Sequence, residues 1–387
     1  MCGYLLRREV MEITLSTADL NRALSVTQNI VAKKTTMPIL VNVLLSAEND
    51  ELTISATDLE IAAVVSTPAK VKSKGRVTLN GKIISEIVRE LPHGEVTLKR
   101  TEGERVEIIS KGSKLRMVGV SAEEYPSLPG VLFTPRSTIE APLLLEMINK
   151  TIYAVSNDET RFNLNGVCLE IIEEGTGNKT VRSLRMVATD GHRLALVTRP
   201  AGNINFEGRV IVPKKGLAEI RKVLSPEAGT QVGFDIQDGF LIIESGDTRI
   251  AMRLVDGEFP NYGEVIPTAR GVVASVTCQD LSQALRRTSL MVSDRSKCVR
   301  MDFREGELRI TGASPELGDA TEELAANYKD KPLSIGFNAL YMLDVASSLG
   351  EAQRLNIELS GELGAGRFYA EGDESYFSII MPMRLDG

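Results

Sequence analysis

Along the chain, short runs of alternating apolar and polar residues are followed at once by stretches whose apolar residues recur at helical spacing. Gly75-Arg76-Val77-Thr78-Leu79 alternates, and Ile83-Ile84-Ser85-Glu86-Ile87 continues as an amphipathic helix. Gly208-Arg209-Val210-Ile211-Val212 followed by Gly216-Leu217-Ala218-Glu219-Ile220 repeats the arrangement at an offset of 133. Pro332-Leu333-Ser334-Ile335 leads into Ala339-Leu340-Tyr341-Met342-Leu343 in the same way. Upstream of each lies a second strand-then-helix start. Ile13-Thr14-Leu15 precedes a helix over Ala18–Ile30, Thr138-Ile139-Glu140 one over Leu143–Val155, and Ala274-Ser275-Val276 one over Gln279–Val292. Asp19 and Asp280 stand near helix starts, where a carboxylate favours the helix dipole. Between helices come strand-like runs bounded by turn residues, such as Glu51 to Ser55, Gly239 to Ile243 and Glu307 to Thr311.

The ends of the first two units correspond as well, Glu124-Tyr125-Pro126 matching Glu258-Phe259-Pro260 at an offset of 134. Ordered agreement of several landmarks predicts three repeated units, residues 11–133, 134–268 and 269–387, each made of two half-units. Residues 1–10 then form an N-terminal extension, and Met11 stands where the repeat begins. Strands outnumber helices, so the expected class is α+β, with helices packed on one face of antiparallel sheets.

Composition narrows the function. Of 387 residues, 43% are hydrophobic and 25% charged, the mix of a globular protein. No run approaches the roughly 18–20 apolar residues of a membrane helix, and Tyr4-Leu5-Leu6 is too short for a signal peptide. Cys2, Cys168, Cys278 and Cys298 include no CxxC pair and no zinc spacing, which points to a reduced, cytoplasmic setting without metal. Trp is absent and aromatic residues make up 5%, few for stacking single-stranded bases. Two histidines are few for acid–base chemistry.

The net charge is −7, but the charge is not evenly spread. The first unit has 15 basic and 15 acidic residues, the second 15 and 18, the third 13 and 18. A head-to-tail contact between the first unit of one copy and the third of another is favoured by that gradient. Basic residues also recur on or beside the predicted helices: Arg22, Lys33, Lys34, Lys82, Arg89, Lys150, Lys214, Lys215, Arg221, Lys222, Arg286 and Arg287. A helix-lined surface of this kind meets phosphates without reading bases.

Catalytic and nucleotide motifs fail one by one. In the Gly75–Lys82 stretch five residues separate Gly75 from Gly81, and Ile83 stands where a P-loop needs Ser or Thr. Gly175 to Gly177 and Gly361 to Gly366 lack dinucleotide-binding spacing, HExxH and GxSxG are absent, and His93 falls in a turn. Val187 to Leu196 differs from these. Asp190-Gly191 between apolar runs is a hairpin signal, which read locally leaves His192 and Arg193 exposed. The first unit has a relative of it, Ala56-Thr57-Asp58-Leu59-Glu60. An enzyme centred on Asp190, His192 and Arg193, and a peptide-binding scaffold that never meets nucleic acid, compete with the reading of a basic, helix-lined surface.

The segment Thr189-Asp190-Gly191-His192-Arg193-Leu194 resembles the bacterial sliding clamps, the β subunits of the DNA polymerase III holoenzyme. So do Arg161-Phe162-Asn163-Leu164-Asn165-Gly166, Glu258-Phe259-Pro260-Asn261-Tyr262, Gly336-Phe337-Asn338, Pro38-Ile39-Leu40 and Met381-Pro382-Met383-Arg384-Leu385. The resemblance runs from Met11 onward. It implies three clamp domains per chain, helices lining the inside of a head-to-tail dimeric ring with antiparallel sheets outside, no catalytic site and no cofactor. Its implied partners are double-stranded DNA of any sequence, a second copy of the chain, the replicative polymerase, the clamp loader, and other polymerases and repair proteins that bind through a short peptide.

The resemblance places the partner-peptide pocket at Leu164, Thr189, Gly191, His192, Arg193, Leu194, Pro260, Val265, Ile379, Met381, Pro382, Met383, Arg384 and Leu385. Met, Pro and Leu make an adaptable apolar groove suited to many clients. Each large apolar anchor buried there contributes about 1.5–3 kcal/mol, partly offset by ordering the client's tail. It places DNA contacts at Lys34, Lys82, Arg161, Lys214 and Lys215, and the ring-closing seam at Leu115 and Met117 against Leu290 and Met291. Lys114 and Arg116 are then expected to face Glu316, Asp319, Glu322 and Glu323 across that seam. Four features depart from the family pattern: residues 1–10, the terminal Asp386-Gly387, Glu264 where some members are basic, and Phe162 where some carry Tyr.

Overall fold

The computed structural model describes residues 11–32, 35–128, 130–131, 134–174, 181–227, 229–267, 271–293, 297–349 and 354–385. Through the first repeat run β1 (Glu12–Ser16), α1 (Thr17–Thr27), β2 (Asn42–Glu48), β3 (Glu51–Thr57), β4 (Ile61–Pro68), β5 (Lys70–Ser73), β6 (Gly75–Asn80), α2 (Gly81–Glu90), β7 (Glu95–Arg100), β8 (Arg105–Ser110) and β9 (Ser113–Val118). The second holds β10 (Ser137–Glu140), α3 (Ala141–Asn149), β11 (Gly166–Glu174), β12 (Val181–Thr189), β13 (Arg193–Pro200), β14 (Arg209–Pro213), α4 (Lys214–Val223), β15 (Gln231–Gln237), β16 (Phe240–Ser245) and β17 (Thr248–Arg253). The third holds β18 (Val272–Thr277), α5 (Cys278–Thr288), β19 (Cys298–Arg304), β20 (Glu307–Ser314), β21 (Gly318–Ala325), β22 (Leu333–Asn338), α6 (Ala339–Leu349), β23 (Arg354–Leu359), β24 (Gly366–Ala370) and β25 (Asp373–Ile380). Among the described residues the order strand, helix, three strands recurs six times, with β5 added in the first repeat.

Several strands run straight into their helices because the last residue of the strand caps the helix that follows. Ser16 Oγ accepts from the amides of Ala18 and Asp19, Asn80 Oδ1 from Ile83, and Thr277 Oγ1 from Asp280. The first helix of each repeat then buries one stripe, Leu20, Ala23, Leu24 and Thr27 in α1 and Leu281, Ala284, Leu285 and Thr288 in α5. All three of these helices are shorter than their apolar periodicity predicts, ending at Thr27, Asn149 and Thr288 rather than at Ile30, Val155 and Val292. The same device stands at each end. Thr27, Thr151 and Thr288, all fully buried, donate Oγ1–H to the carbonyl four residues back at 3.1, 2.8 and 2.9 Å. Those bonds compete with continuing the helix, and one-turn helices at Ile152–Ala154 and Ser289–Met291 follow in the second and third repeats.

Among the described residues every strand pairing is antiparallel, and the strands form four sheets. The chain folds into two compact units. One takes in the described residues up to Pro142, with Asn203–Phe206 and Lys215–Leu254; it holds a five-stranded sheet, β5-β1-β7-β8-β9, and an eight-stranded sheet, β10-β15-β16-β17-β4-β3-β2-β6. The other takes in Leu143–Gly202, Glu207–Lys214 and the described residues from Val255; it holds an eight-stranded sheet, β14-β11-β12-β13-β25-β24-β23-β18, and a four-stranded one, β21-β20-β19-β22. The strands of the middle repeat are thus divided, half completing a sheet with the first repeat and half with the third. Helices cover the sheets, α1 packing on α2, β3 and β4, and α5 on α6, β20 and β21.

Candidate partner-binding groove and basic surfaces

In the second unit the groove is built where β13 meets β25. Leu194 pairs with Ile379 and Arg193 with Ile380, and past the end of β25 the Met381 amide donates to the His192 carbonyl at 2.9 Å. The tail then crosses to β22, where the Met383 amide donates to the Gly336 carbonyl at 2.8 Å. Gly336 is required there, since a Cβ would stand 2.7 Å from the Met383 oxygen. Under the groove lies one apolar cluster that includes Leu164, Val187, Leu194, Leu196, Phe259, Tyr262, Phe377 and Ile379. Leu194 and Ile379 are buried in its floor, while Val265 and Met381 stay 39% and 38% exposed above it. Pro260 and Arg384 are exposed, and Pro382, Met383 and Leu385 half-buried.

The hairpin between β12 and β13 is closed by its own side chains. Asp190 Oδ1 accepts from the amides of His192 and Arg193 at 2.9 and 3.0 Å, and Thr189 Oγ1 donates to the Arg193 carbonyl at 2.6 Å. Gly191 takes φ +87°, which its lack of a side chain permits. His192 is exposed, as the local reading expects, but Arg193 is not: its side chain is 10% exposed. Its Nε donates to Asp190 at 3.0 Å, Nη1 to Asp344 at 2.6 Å and Nη2 to the Tyr153 carbonyl at 2.5 Å. Its guanidinium lies over the Tyr341 ring at 4.2 Å. Arg193 therefore holds the hairpin to α6. Tyr341 and Asp344, which complete this contact, carry no signal in residue spacing that marks them beforehand.

Two further polar clusters brace the groove. Buried Glu170 accepts from the Tyr262 hydroxyl and from Arg209 Nε, tying the one-turn helix Tyr262–Val265, and so Val265, to β11. Behind β25, the hydroxyls of Tyr153, Tyr376, Ser378 and Ser348 share hydrogen bonds, with Tyr153 2.5 Å from Ser378. Burial pushes both tyrosines above their ordinary pKa. Beside them, Arg199 and Lys150 each bridge Glu146 and Asp373, at 2.6 and 2.8 Å from Arg199 and 2.8 and 3.2 Å from Lys150.

Burial alone would raise the pKa of Asp373 and Glu146, but hydrogen bonds from Ser375 and Arg199 to Asp373, and from Arg199 and Lys150 to Glu146, outweigh it and hold both below their ordinary values. A depressed folded pKa gives stability that is present above the unfolded value near 4 and lost as pH falls through the folded one. Arg199→Met is therefore expected to lower the urea midpoint at pH 7, with the deficit against wild type narrowing as pH is brought down to 3. A deficit of equal size at every pH would sink this account.

The basic residues are less alike than their recurrence suggests. Lys82 is exposed on the first turn of α2, and Arg161 is exposed beside the groove, 3.6 Å from Asp158. Lys215 is half-exposed and paired with Asp58. Lys214 reaches Asn157 at 2.8 Å, and burial followed by the nearby Arg193 charge lowers its pKa. Lys34 lies outside the described residues, as do Lys33, residues 1–10 and Asp386-Gly387. Arg22 pairs with Asp247 and Lys222 with Glu219, and Lys150 is turned inward with its side chain 13% exposed.

At the other candidate seam, β9 and β21 are edge strands of their sheets and leave backbone groups unpaired. On and beside them Leu290, Val118 and Leu317 are exposed, whereas Leu115 is half-buried and Met117 buried in its own sheet. Lys114 and Arg116 pair with Glu107 of the neighbouring strand, Arg287 with Glu322 and Arg309 with Glu323, so these charges have partners within the chain. Among the described residues no group of three possible metal ligands is found, and no helix is long and apolar enough to cross a membrane.

Known proteins match this chain over most of its length. Family models of the DNA polymerase III β subunit match in chain order, the N-terminal domain over residues 11–129, the central domain over 138–261 and the C-terminal domain over 263–384. The β sliding clamp of Caulobacter vibrioides is 34% identical over 347 residues, 89% of this chain and 92% of that protein. The β sliding clamp of Chlamydia trachomatis is 32% identical over 380 residues, 98% of this chain and 88% of that protein. The crystal structure of the Bartonella birtlesii sliding clamp bound to griselimycin superposes with a TM-score of 0.90 at 32% identity, covering 97% of this chain and all of that one. The Caulobacter crescentus clamp, with polyethylene glycol bound to its putative β-motif tethering region, gives 0.88 at 31% identity over 97% of this chain and all of that one. From Met11 to Arg384 the chain carries the three domains of the DNA polymerase III β subunit in order, and it belongs to that family, the bacterial sliding clamps.

Proposed function

We propose that two copies of this chain close head to tail into a ring around duplex DNA and tether the replicative polymerase for processive synthesis. The observation that carries this reading is the unbroken series of three family domains across one chain. The ring performs no chemistry of its own. It acts in the cytoplasm on the nucleoid and needs no cofactor. Enclosure, rather than affinity, keeps it on DNA. Contacts from Lys34, Lys82, Arg161, Lys214 and Lys215 are weak, salt-sensitive and blind to sequence.

The groove between the 189–193 hairpin and the 381–385 tail takes a short peptide from each client. The polymerase catalytic subunit, the clamp loader and repair proteins exchange at it because one tail with two apolar anchors binds only modestly. The test is topological. The chain, loaded on nicked circular DNA by a clamp loader, is expected to stay bound at high salt and to be lost when the circle is cut. Equal retention on circle and linear form would mean ordinary affinity binding and would remove the ring.

A further inference from the structure

The groove has a counterpart in the other unit, and that counterpart is closed. The turn Thr57–Ile61 reproduces Thr189–Arg193 bond for bond. Thr57 Oγ1 donates to the Ile61 carbonyl and accepts from the Leu59 amide, and Asp58 Oδ1 accepts from Glu60 and Ile61. Leu59 has φ +77° where Gly191 has +87°. The Arg253 amide donates to the Glu60 carbonyl at 2.8 Å, as Met381 does to His192. Ala62 pairs with Ala251 where Leu194 pairs with Ile379. Val131 stands where the linker match Pro126/Pro260 places Val265.

Despite that equivalence Val131 is 6% exposed and Val265 39%. The difference lies on the third strand. Ile242 faces Ala251, and two residues before it comes Phe240; Arg367 faces Ile379, and two residues before it comes Ala365. The Phe240 ring packs with Ala62, Val131, Ile242 and Ala251 beneath the Arg253 guanidinium at 5.0 Å. It leaves so little room that a Cβ on Gly130 would stand 2.9 Å from it. Ala365, packed against the open groove's apolar cluster, offers a single methyl, and Met381 takes the place of Arg253.

We infer that positions 240 and 365 decide which of the two equivalent grooves admits a client: Phe240 under Arg253 plugs one, and Ala365 leaves the other open. The occupant is an extended peptide with large apolar side chains, so the inference rests on the client-site reading above. A ring at 365 fills the space one peptide anchor needs.

The probe is a fluorescent decapeptide carrying one Leu-Phe pair in a polar frame, titrated against the full chain. The wild type is expected to bind one peptide per chain. Ala365→Phe is expected to weaken binding by about 50-fold, the loss of one buried anchor. Phe240→Ala with Arg253→Met is expected to raise the stoichiometry to two. Unchanged affinity in Ala365→Phe, or one site in the folded double variant, would overturn the plug. If the double variant fails to fold, Ala365→Phe decides alone, since it alters only a half-exposed methyl. No binding to the wild type would instead overturn the client-site reading, and the plug with it.

Discussion

An Arg193→Ala chain is expected to unfold about 3 kcal/mol more easily than the wild type and to bind client peptide at least tenfold more weakly, roughly 1.4 kcal/mol or more. Arg193 joins three segments that are far apart in sequence: its own hairpin through Asp190, α6 through Asp344 and Tyr341, and the Tyr153 carbonyl. Removing one partner of a buried pair leaves the other uncompensated, at a cost of about 3–5 kcal/mol. Asp344 is 44% exposed and water relieves it, which sets the figure at the lower end. The effect on peptide follows from geometry, because the His192 carbonyl that receives the Met381 amide is one residue from Arg193. Arg193→Lys keeps the charge but not the planar fork, so it restores only part of either loss. Urea unfolding and peptide titration on all three chains check this. Wild-type stability in Arg193→Ala would show that the guanidinium is merely tolerated.

That role illustrates what residue order discloses and what it hides. The Thr-Asp pairs at 57–58 and 189–190 are visible as relatives, and both form the same turn, because an Asp carboxylate that caps its own following amides needs only local sequence. Strand-to-helix starts are legible for the same reason. The pairings β4 with β17 and β13 with β25 are not, since a half-buried strand alternates alike whether its neighbour is near or far in the chain. Helix ends were hidden by residue type. Thr27, Thr151 and Thr288 fit a helical stripe, yet their hydroxyls turn back on the previous turn. The groove residues came from resemblance, and its bracing residues Tyr341, Asp344 and Glu170 from tertiary packing alone. Lys150 reads as one more basic residue on a helix until Glu146 and Asp373 are seen to hold it.

Leu290→Asp is expected to convert the dimer to monomer at concentrations where the wild type is fully assembled. Leu290 is 71% exposed in the isolated chain, so the substitution costs the fold little. In a closed ring of two chains joined head to tail, each chain supplies both surfaces, and one substitution enters at both seams. Burying a leucine is worth about 1.5–3 kcal/mol, and a carboxylate put in its place adds a desolvation cost. At about 2.5 kcal/mol per seam, and with the two seams taken as independent, the sum is about 5 kcal/mol, or about three to four decades in dissociation constant. Sedimentation velocity across a dilution series reads that shift directly. Retention on circular DNA should fall with it, because an open monomer encloses nothing. Peptide affinity should not, because the groove is complete within one unit of one chain. A Leu290→Asp chain that stays dimeric would place the seam elsewhere. One that becomes monomeric yet is still retained on circles and lost from linear DNA would separate enclosure from dimerisation.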